Sequence, residues 1–205
     1  MPDDGLVYMV DDDPSVRRGV ERLLHSVGLA VESFETAGAF LAAPPQDRPS
    51  CLVLDVILPG QSGLELQSVL KKSERVLPIV FITGQGNVAR SVEAMKGGAV
   101  DFLQKPIDEH ELLQCVGRAL DMSCRLRTER AERADIRQRR AALTPRERQV
   151  MDLLVEGRIN RRIAAELGNA EKTVKIHRRS VMDKMQVRSV AELVWLAGKV
   201  GPVAP

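Results

Sequence analysis

Aromatic side chains are scarce in this chain of 205 residues, only 3% of it, and they do not cluster anywhere in its basic second half. That scarcity argues against binding single-stranded nucleic acid by stacking on bases, and leaves duplex DNA or RNA open. Cysteine is rare too. Cys51, Cys115 and Cys124 are odd in number and lack metal-type spacing, so reduced thiols are expected, with neither a disulfide framework nor a zinc site. No apolar run approaches the ~20 residues that span a bilayer. The opening Met1-Pro-Asp-Asp-Gly5 has neither the basic nor the apolar region of a secretion signal, so a cytoplasmic protein with no membrane partner is expected. A glycine-rich loop after the first apolar run is also missing. Asp11-Asp12-Asp13-Pro14 stands there instead, and without a metal it would repel a nucleotide's phosphates.

What is present divides in two. Residues 1–120 hold 11 Lys/Arg against 17 Asp/Glu, whereas residues 121–205 hold 19 against 11. An acidic part joined to a basic one implies two domains, the second suited to a polyanion.

The acidic part is organised around Cys51-Leu-Val-Leu-Asp-Val-Ile-Leu-Pro-Gly60. Four apolar residues read as a strand buried on both faces, and Asp55 closes it. Either that carboxylate is a nucleophile toward a phosphoryl group, or it caps the next turn. Around it, strands at Leu6–Val10, Ala30–Phe34, Pro78–Thr83 and Ala99–Leu103 alternate with helical patterns. The pattern is that of a doubly wound, flavodoxin-like parallel sheet of five strands. Asp13 serves as the N-cap of a helix with Pro14 in its first position. Asp11 and Asp12 then remain, either as part of a solvated acidic loop or as ligands of a hard cation such as Mg²⁺. The carboxyl ends of the strands carry Asp11/Asp12, Asp55, Thr83 and Lys105. Taken singly, Lys105 reads as a surface lysine. Brought to one edge, the set fits phosphoryl transfer: Asp55 attacks phosphorus, Lys105 pairs with phosphoryl oxygens and Thr83 donates to one of them.

Val10-Asp-Asp12, Leu54-Asp-Val-Ile-Leu-Pro-Gly60, Ile82-Thr-Gly84 and Lys105-Pro106 resemble the receiver (CheY-like) domain of bacterial two-component response regulators over about residues 5–120. The resemblance implies that Asp55 takes phosphate from a sensor histidine kinase. It also implies Mg²⁺ (or Mn²⁺) held by Asp11, Asp12, Asp55 and the backbone carbonyl of Ile57, and a cis Lys105-Pro106 bond. Phe102 would change rotamer together with Thr83 on activation. Having no hydroxyl, it would switch by packing alone. Ile57 and Gln85 stand at positions that influence phosphoryl lifetime in that family.

No proline interrupts 107–144, and Leu112, Leu113, Val116, Ala119, Leu120 and Leu126 recur at helical spacing. From Arg125 to Arg140 the chain turns Arg/Glu-rich, with Ile136 the one large apolar residue after Leu126. A long helical linker over 121–140 is expected, with a flexible charged tether as the competing reading. Beyond it, Thr144-Pro-Arg-Glu147 is a capping box that opens a helix. A short helix at Asn160–Leu167, the Gly168-Asn169 turn, a basic helix at Glu171–Met185 and a last helix from Ser189 fit a four-helix, helix-turn-helix domain over 141–205. Lys172, Lys175, Arg178 and Arg179 are either a solvated charged face or a duplex-binding one.

Leu143-Thr-Pro-Arg-Glu-Arg-Gln-Val, Asn160 with Ile163-Ala164, and Thr173-Val-Lys-Ile-His177 resemble the output domain of the LuxR/NarL/FixJ type. The whole is similar to the branch that controls nitrogen fixation and aromatic catabolism. That likeness implies base and groove contacts from Lys175, Ile176 and Arg179, and phosphate contacts from Lys172, Thr173 and Asn160. Partners would be the kinase, double-stranded promoter DNA, a second copy of the chain and RNA polymerase. Asn169 departs from the pattern, which has an apolar residue there; it either loosens the turn or caps the basic helix. Val190, Leu193, Val194 and Trp195 would divide between core and dimer seam. Two other readings stay open: a DNA-binding regulator that works without phosphate, and an aspartate-nucleophile phosphatase. The phosphatase needs a second acid where Ile57 stands.

Overall fold

In the computed structural model the described residues are 4–73, 75, 77–84 and 88–201, and they form two compact units that meet between Arg127 and Thr128. Gln85, Gly86 and Asn87 lie outside the described residues, and with them the expectation for Gln85.

The first unit holds one parallel sheet in the order β2-β1-β3-β4-β5. Its strands are β1 (Leu6–Val10), β2 (Ala30–Phe34), β3 (Ser50–Asp55), β4 (Ile79–Thr83) and β5 (Asp101–Gln104). Each of β1, β3 and β4 is buried at every residue, as strands covered on both faces must be. Alternation sorts their side chains. Tyr8, Val10, Leu52, Leu54 and Phe81 share one cluster with α2 (Ala37–Ala42), α3 (Gly63–Lys72) and α4 (Val88–Lys96). Val7, Met9, Val53, Val80 and Ile82 share the other with α1 (Pro14–Ser26) and α5 (Glu109–Ala141). The sheet order reverses between β1 and β3, so their carboxyl ends open onto a common crevice, where such folds place their chemistry.

Local signals in the sequence account for most boundaries. Asp13 accepts from the Ser15 N–H at 2.7 Å, with Pro14 first in α1. Ser62 and Glu65 close a reciprocal capping box at α3. The fifth strand starts at Asp101, two residues later than its apolar run suggested, and the Ala99 N–H instead donates to the Ala94 carbonyl, at 3.1 Å, closing the end of α4. Val27, the C-cap of α1, is 41% exposed.

α5 is continuous over 33 residues, so the described chain is helical throughout 121–140 and the tether reading fails there. Ile136, expected on a solvated stretch, is buried in the second unit's core. That unit adds α6 (Pro145–Val155), α7 (Asn160–Glu166), α8 (Glu171–Met185) and α9 (Val190–Val200). Ile136, Val150, Leu154, Ile163, Val174, Val181, Met185 and Leu193 supply its centre. Gly168, at φ +63°, makes the turn between α7 and α8, a conformation that costs glycine nothing. The N-cap of α8 is Ala170, with no side-chain cap, so Asn169 does not cap that helix. Its Nδ2 is buried without a hydrogen-bond partner. On α9 Leu193 is buried and Val190 half-buried, while Val194 and Trp195 are exposed.

Candidate functional site

At the sheet crevice, Asp11 follows β1 fully buried, Asp12 beside it is exposed, and Asp55 ends β3 at 5% exposure. Carboxylate oxygens of the three lie within 4.8 Å of one another. Asp13 is turned away into the N-cap of α1, where the Ser15 N–H holds its carboxyl below the usual range. One oxygen of each buried acid is folded back on its own loop. Asp11 Oδ1 accepts from the Asp13 N–H at 2.9 Å, and Asp55 Oδ1 accepts from the Ile57 N–H at 2.8 Å. The remaining oxygens face Lys105, whose Nζ lies 2.5 Å from Asp55 Oδ2 and 2.7 Å from Asp11 Oδ2. The first contact is a hydrogen bond. The second is an ion pair without hydrogen-bond alignment, which leaves Asp11 Oδ2 a buried acceptor with no donor.

Backbone bonds set these positions. The Lys105 N–H donates to the Thr83 carbonyl at 2.7 Å, and the Val56 N–H to the Ile82 carbonyl at 3.0 Å, which ties the ends of β3, β4 and β5 together. The Lys105-Pro106 bond is cis. Thr83 is buried at the end of β4, and Phe102 is half-buried with its ring 6.5 Å from that of Phe81. Ile57 points its side chain outward at 44% exposure.

The electrostatics follow from burial. Desolvation raises the Asp11 carboxyl above its ordinary value despite the Lys105 ammonium beside it. Burial alone would lower Lys105, but the carboxylates of Asp11 and Asp55 beside it outweigh that and raise it. Three carboxylates around one ammonium leave negative charge in excess. That excess and the donorless Asp11 oxygen both fit an oxygen-ligated divalent cation.

Two residues shape this site that sequence reasoning did not single out. A side chain at Gly63 would stand 2.3 Å from the Asp55 carbonyl oxygen, so α3 seats against the acid's backbone only because Gly63 has none. Its place inside a capping box concealed that second duty. Arg17 donates from Nη1 to the Asp11 carbonyl at 2.5 Å, and its sequence context carries no signal of this.

In the second unit, Lys172, Lys175, Ile176 and Arg179 are exposed along α8, with Ile176 at 62%. Lys175 and Arg179 lie 3.6 and 4.0 Å from Glu171 and Asp183, surface pairs too weak to hold them from a stronger anion. Thr173 is half-buried. Arg178 donates to Asn160 Oδ1 at 3.3 Å, so these two residues link α8 to α7. From the opposite side Glu147, at the start of α6, receives the Ser180 hydroxyl and the Lys184 ammonium, each at 2.6 Å, besides the Thr144 N–H. The capping box was legible, but partners 33 and 37 residues away were not.

Residues 7–117 match the family model described as response regulator receiver domain, and residues 141–197 match bacterial regulatory proteins, luxR family. The chain is a response regulator of the NarL/FixJ family. This regulator is 45% identical over 196 residues to Nodulation protein W of Bradyrhizobium diazoefficiens, covering 96% of the chain and 86% of that protein. It is 42% identical to the Transcriptional regulatory protein FixJ of the same organism, over 96% of each. Among solved structures, the response regulator StyR superposes at TM-score 0.83 with 44% identity, over 96% of this regulator and 99% of that chain. Full-length FixJ from B. japonicum superposes at 0.58 with 41% identity, over 96% and 97%. The regulator is a transcription factor with a receiver and a LuxR-type DNA-binding domain. Among its described residues no helix is long and apolar enough to cross a membrane.

Proposed function

We propose that Asp55 accepts a phosphoryl group from a sensor histidine kinase and that this controls DNA binding. The arrangement of Lys105 against the free oxygens of Asp55 and Asp11 carries the reading, because a cation there can pass from carboxylate to phosphoryl oxygen. Asp55 Oδ2 attacks phosphorus, the phosphohistidine N–P bond breaks, and the imidazole nitrogen takes up a proton. Asp11, Asp12, Asp55 and the Ile57 carbonyl would hold Mg²⁺ or Mn²⁺, which when bound neutralises charge between the acids and the phosphoryl oxygens. Lys105 then pairs with one phosphoryl oxygen, the Thr83 hydroxyl donates to another, and Phe102 repacks toward the space Thr83 leaves. Hydrolysis of the phosphoaspartate is the one reaction besides its formation, and the protein turns over no other substrate.

The receiver (5–120) thereby shifts toward dimerisation through the surface of α4 and β5. The helical linker (121–140) joins it to the DNA-binding domain (141–205), and two such domains place α8 in paired major grooves. Lys175, Ile176 and Arg179 meet base edges and the groove, while Lys172, Thr173, Arg178 and Asn160 serve the sugar-phosphate backbone. The bound dimer, in the bacterial cytoplasm, then acts on RNA polymerase. Affinity of the full chain for a duplex selected from a random pool, with and without acetyl phosphate, tests this. The expected result is tighter binding after phosphorylation in the wild type and none of that gain in Asp55→Asn. Equal binding by both proteins, treated or not, would refute control by phosphate.

A further inference from the structure

The match to the DNA-binding family begins at residue 141, yet the compact unit containing it begins at Thr128. The difference is the end of α5, which is built into that unit at several points. Ile136 is 1% exposed among Val150, Leu154 and Val174. Arg140 reaches Asp152 on α6 at 3.1 Å and the Gly201 carbonyl after α9 at 3.4 Å. Glu132 pairs with Lys199 of α9 at 2.5 Å.

Arg139 makes the contact that bears on function. Its Nη1 donates at 3.2 Å to the carbonyl of Met185, the last residue of α8. Carbonyls in a helix's last turn lack intrahelical donors and form the negative end of its dipole, so a guanidinium there is a C-terminal cap. Asp135, one turn earlier on α5, receives Arg139 Nε at 3.2 Å and holds the guanidinium in place. Glu147 grips the same half of α8 through Ser180 and Lys184. The exposed residues Lys172, Lys175 and Ile176 lie in the other half, and Arg179 stands just past the middle.

This makes α8 a lever. Lys175 stands ten residues from Met185, about 15 Å along the axis, so a tilt of about 5° at the gripped end moves it by roughly 1.3 Å. Hydrogen bonds to base edges tolerate only a few tenths of an ångström. We propose that Arg139 is a positioning residue for DNA reading, which makes the last turns of α5 a working part of the DNA-binding domain. The proposal rests on the reading that α8 enters the groove.

The test uses the full chain, treated with acetyl phosphate and Mg²⁺, and two duplexes: one selected from a random pool by the wild type, one scrambled from it. Arg139→Met keeps an unbranched apolar stem and removes the guanidinium that makes the cap. At a temperature where Trp195 fluorescence shows every variant folded, it should lose about tenfold in affinity for the selected duplex and less than about twofold for the scrambled one. Arg139→Lys, whose ammonium can reach the same carbonyl, should recover most of the loss, and Asp135→Asn should shift the same ratio in the same direction. Unchanged affinities in Arg139→Met, whatever its melting temperature, would overturn the proposal. So would an equal loss on both duplexes. If the wild type selects no duplex, the underlying assignment of α8 fails, a result distinct from either.

Discussion

Replacing Glu147 by glutamine removes one charge from a nearly buried site and leaves the side chain's shape intact. The native carboxylate is 6% exposed and sits among the Lys184 ammonium, the Ser180 hydroxyl and the Thr144 N–H. Led by the bond from Lys184, these partners pull its pKa from 4.5 down to about 2. Each pKa unit is about 1.4 kcal/mol, so the ionised form contributes about 3 kcal/mol to the second unit at neutral pH. Glutamine still completes a capping box, and Lys184 is 36% exposed and free to swing into water, which limits the cost to about 2–3 kcal/mol. For a domain of this size that is a drop in melting temperature of roughly 10–20 °C. The sign with pH follows from the lowered pKa: the contribution is complete above the unfolded value of 4.5 and is lost as pH falls toward about 2. Trp195 is the single tryptophan and lies on α9, so its fluorescence follows the second unit alone through urea unfolding. The expected outcome is a gap between wild type and Glu147→Gln that is full at pH 7 and closes between about pH 5 and pH 2. A gap that stays constant down to pH 3 would refute the reasoning.

Other changes have equally definite outcomes. Gly63→Ala places a methyl against the Asp55 carbonyl, so α3 must shift; the receiver should lose about 2 kcal/mol or more in urea unfolding followed by circular dichroism, and its phosphorylation rate should fall. Asn169→Leu removes a buried amide nitrogen with no hydrogen-bond partner, and the second unit should gain about 1 kcal/mol, read by Trp195 fluorescence. DNA affinity should fall linearly on a log-log plot against salt, and Lys172→Ala should make that slope shallower by about one, provided Lys172 meets a phosphate.

The receiver was readable because its chemistry is local to strand ends. Burial of whole strands marks β1, β3 and β4, and a carboxylate, threonine or lysine at each carboxyl end can be placed on one edge by topology alone. Caps at Asp13, Ser62 and Thr144 fixed helix starts for the same reason: the partner is two or three residues away. What stayed hidden depends on distant packing. Gly63 against Asp55, Arg17 on the Asp11 carbonyl, and Glu147 with Ser180 and Lys184 carry no period or spacing that marks them. Ile136 was visible as a lone apolar residue in a charged run. Its burial could not be read, because one side chain makes no stripe. Asn169 departed from the expected apolar residue, and the structure assigns it a cost in place of a cap.

The central claim is that Asp55 takes the phosphoryl group in a pocket built with Asp11, Asp12, Thr83 and Lys105. Intact-mass spectrometry of wild type, Asp55→Asn and Lys105→Met after incubation with acetyl phosphate and Mg²⁺ tests it most directly. One added phosphoryl group on the wild type, none on Asp55→Asn, none without the metal and a much reduced yield on Lys105→Met is the result this account predicts. An unmodified wild type, or an Asp55→Asn variant that gains the same mass, would contradict it.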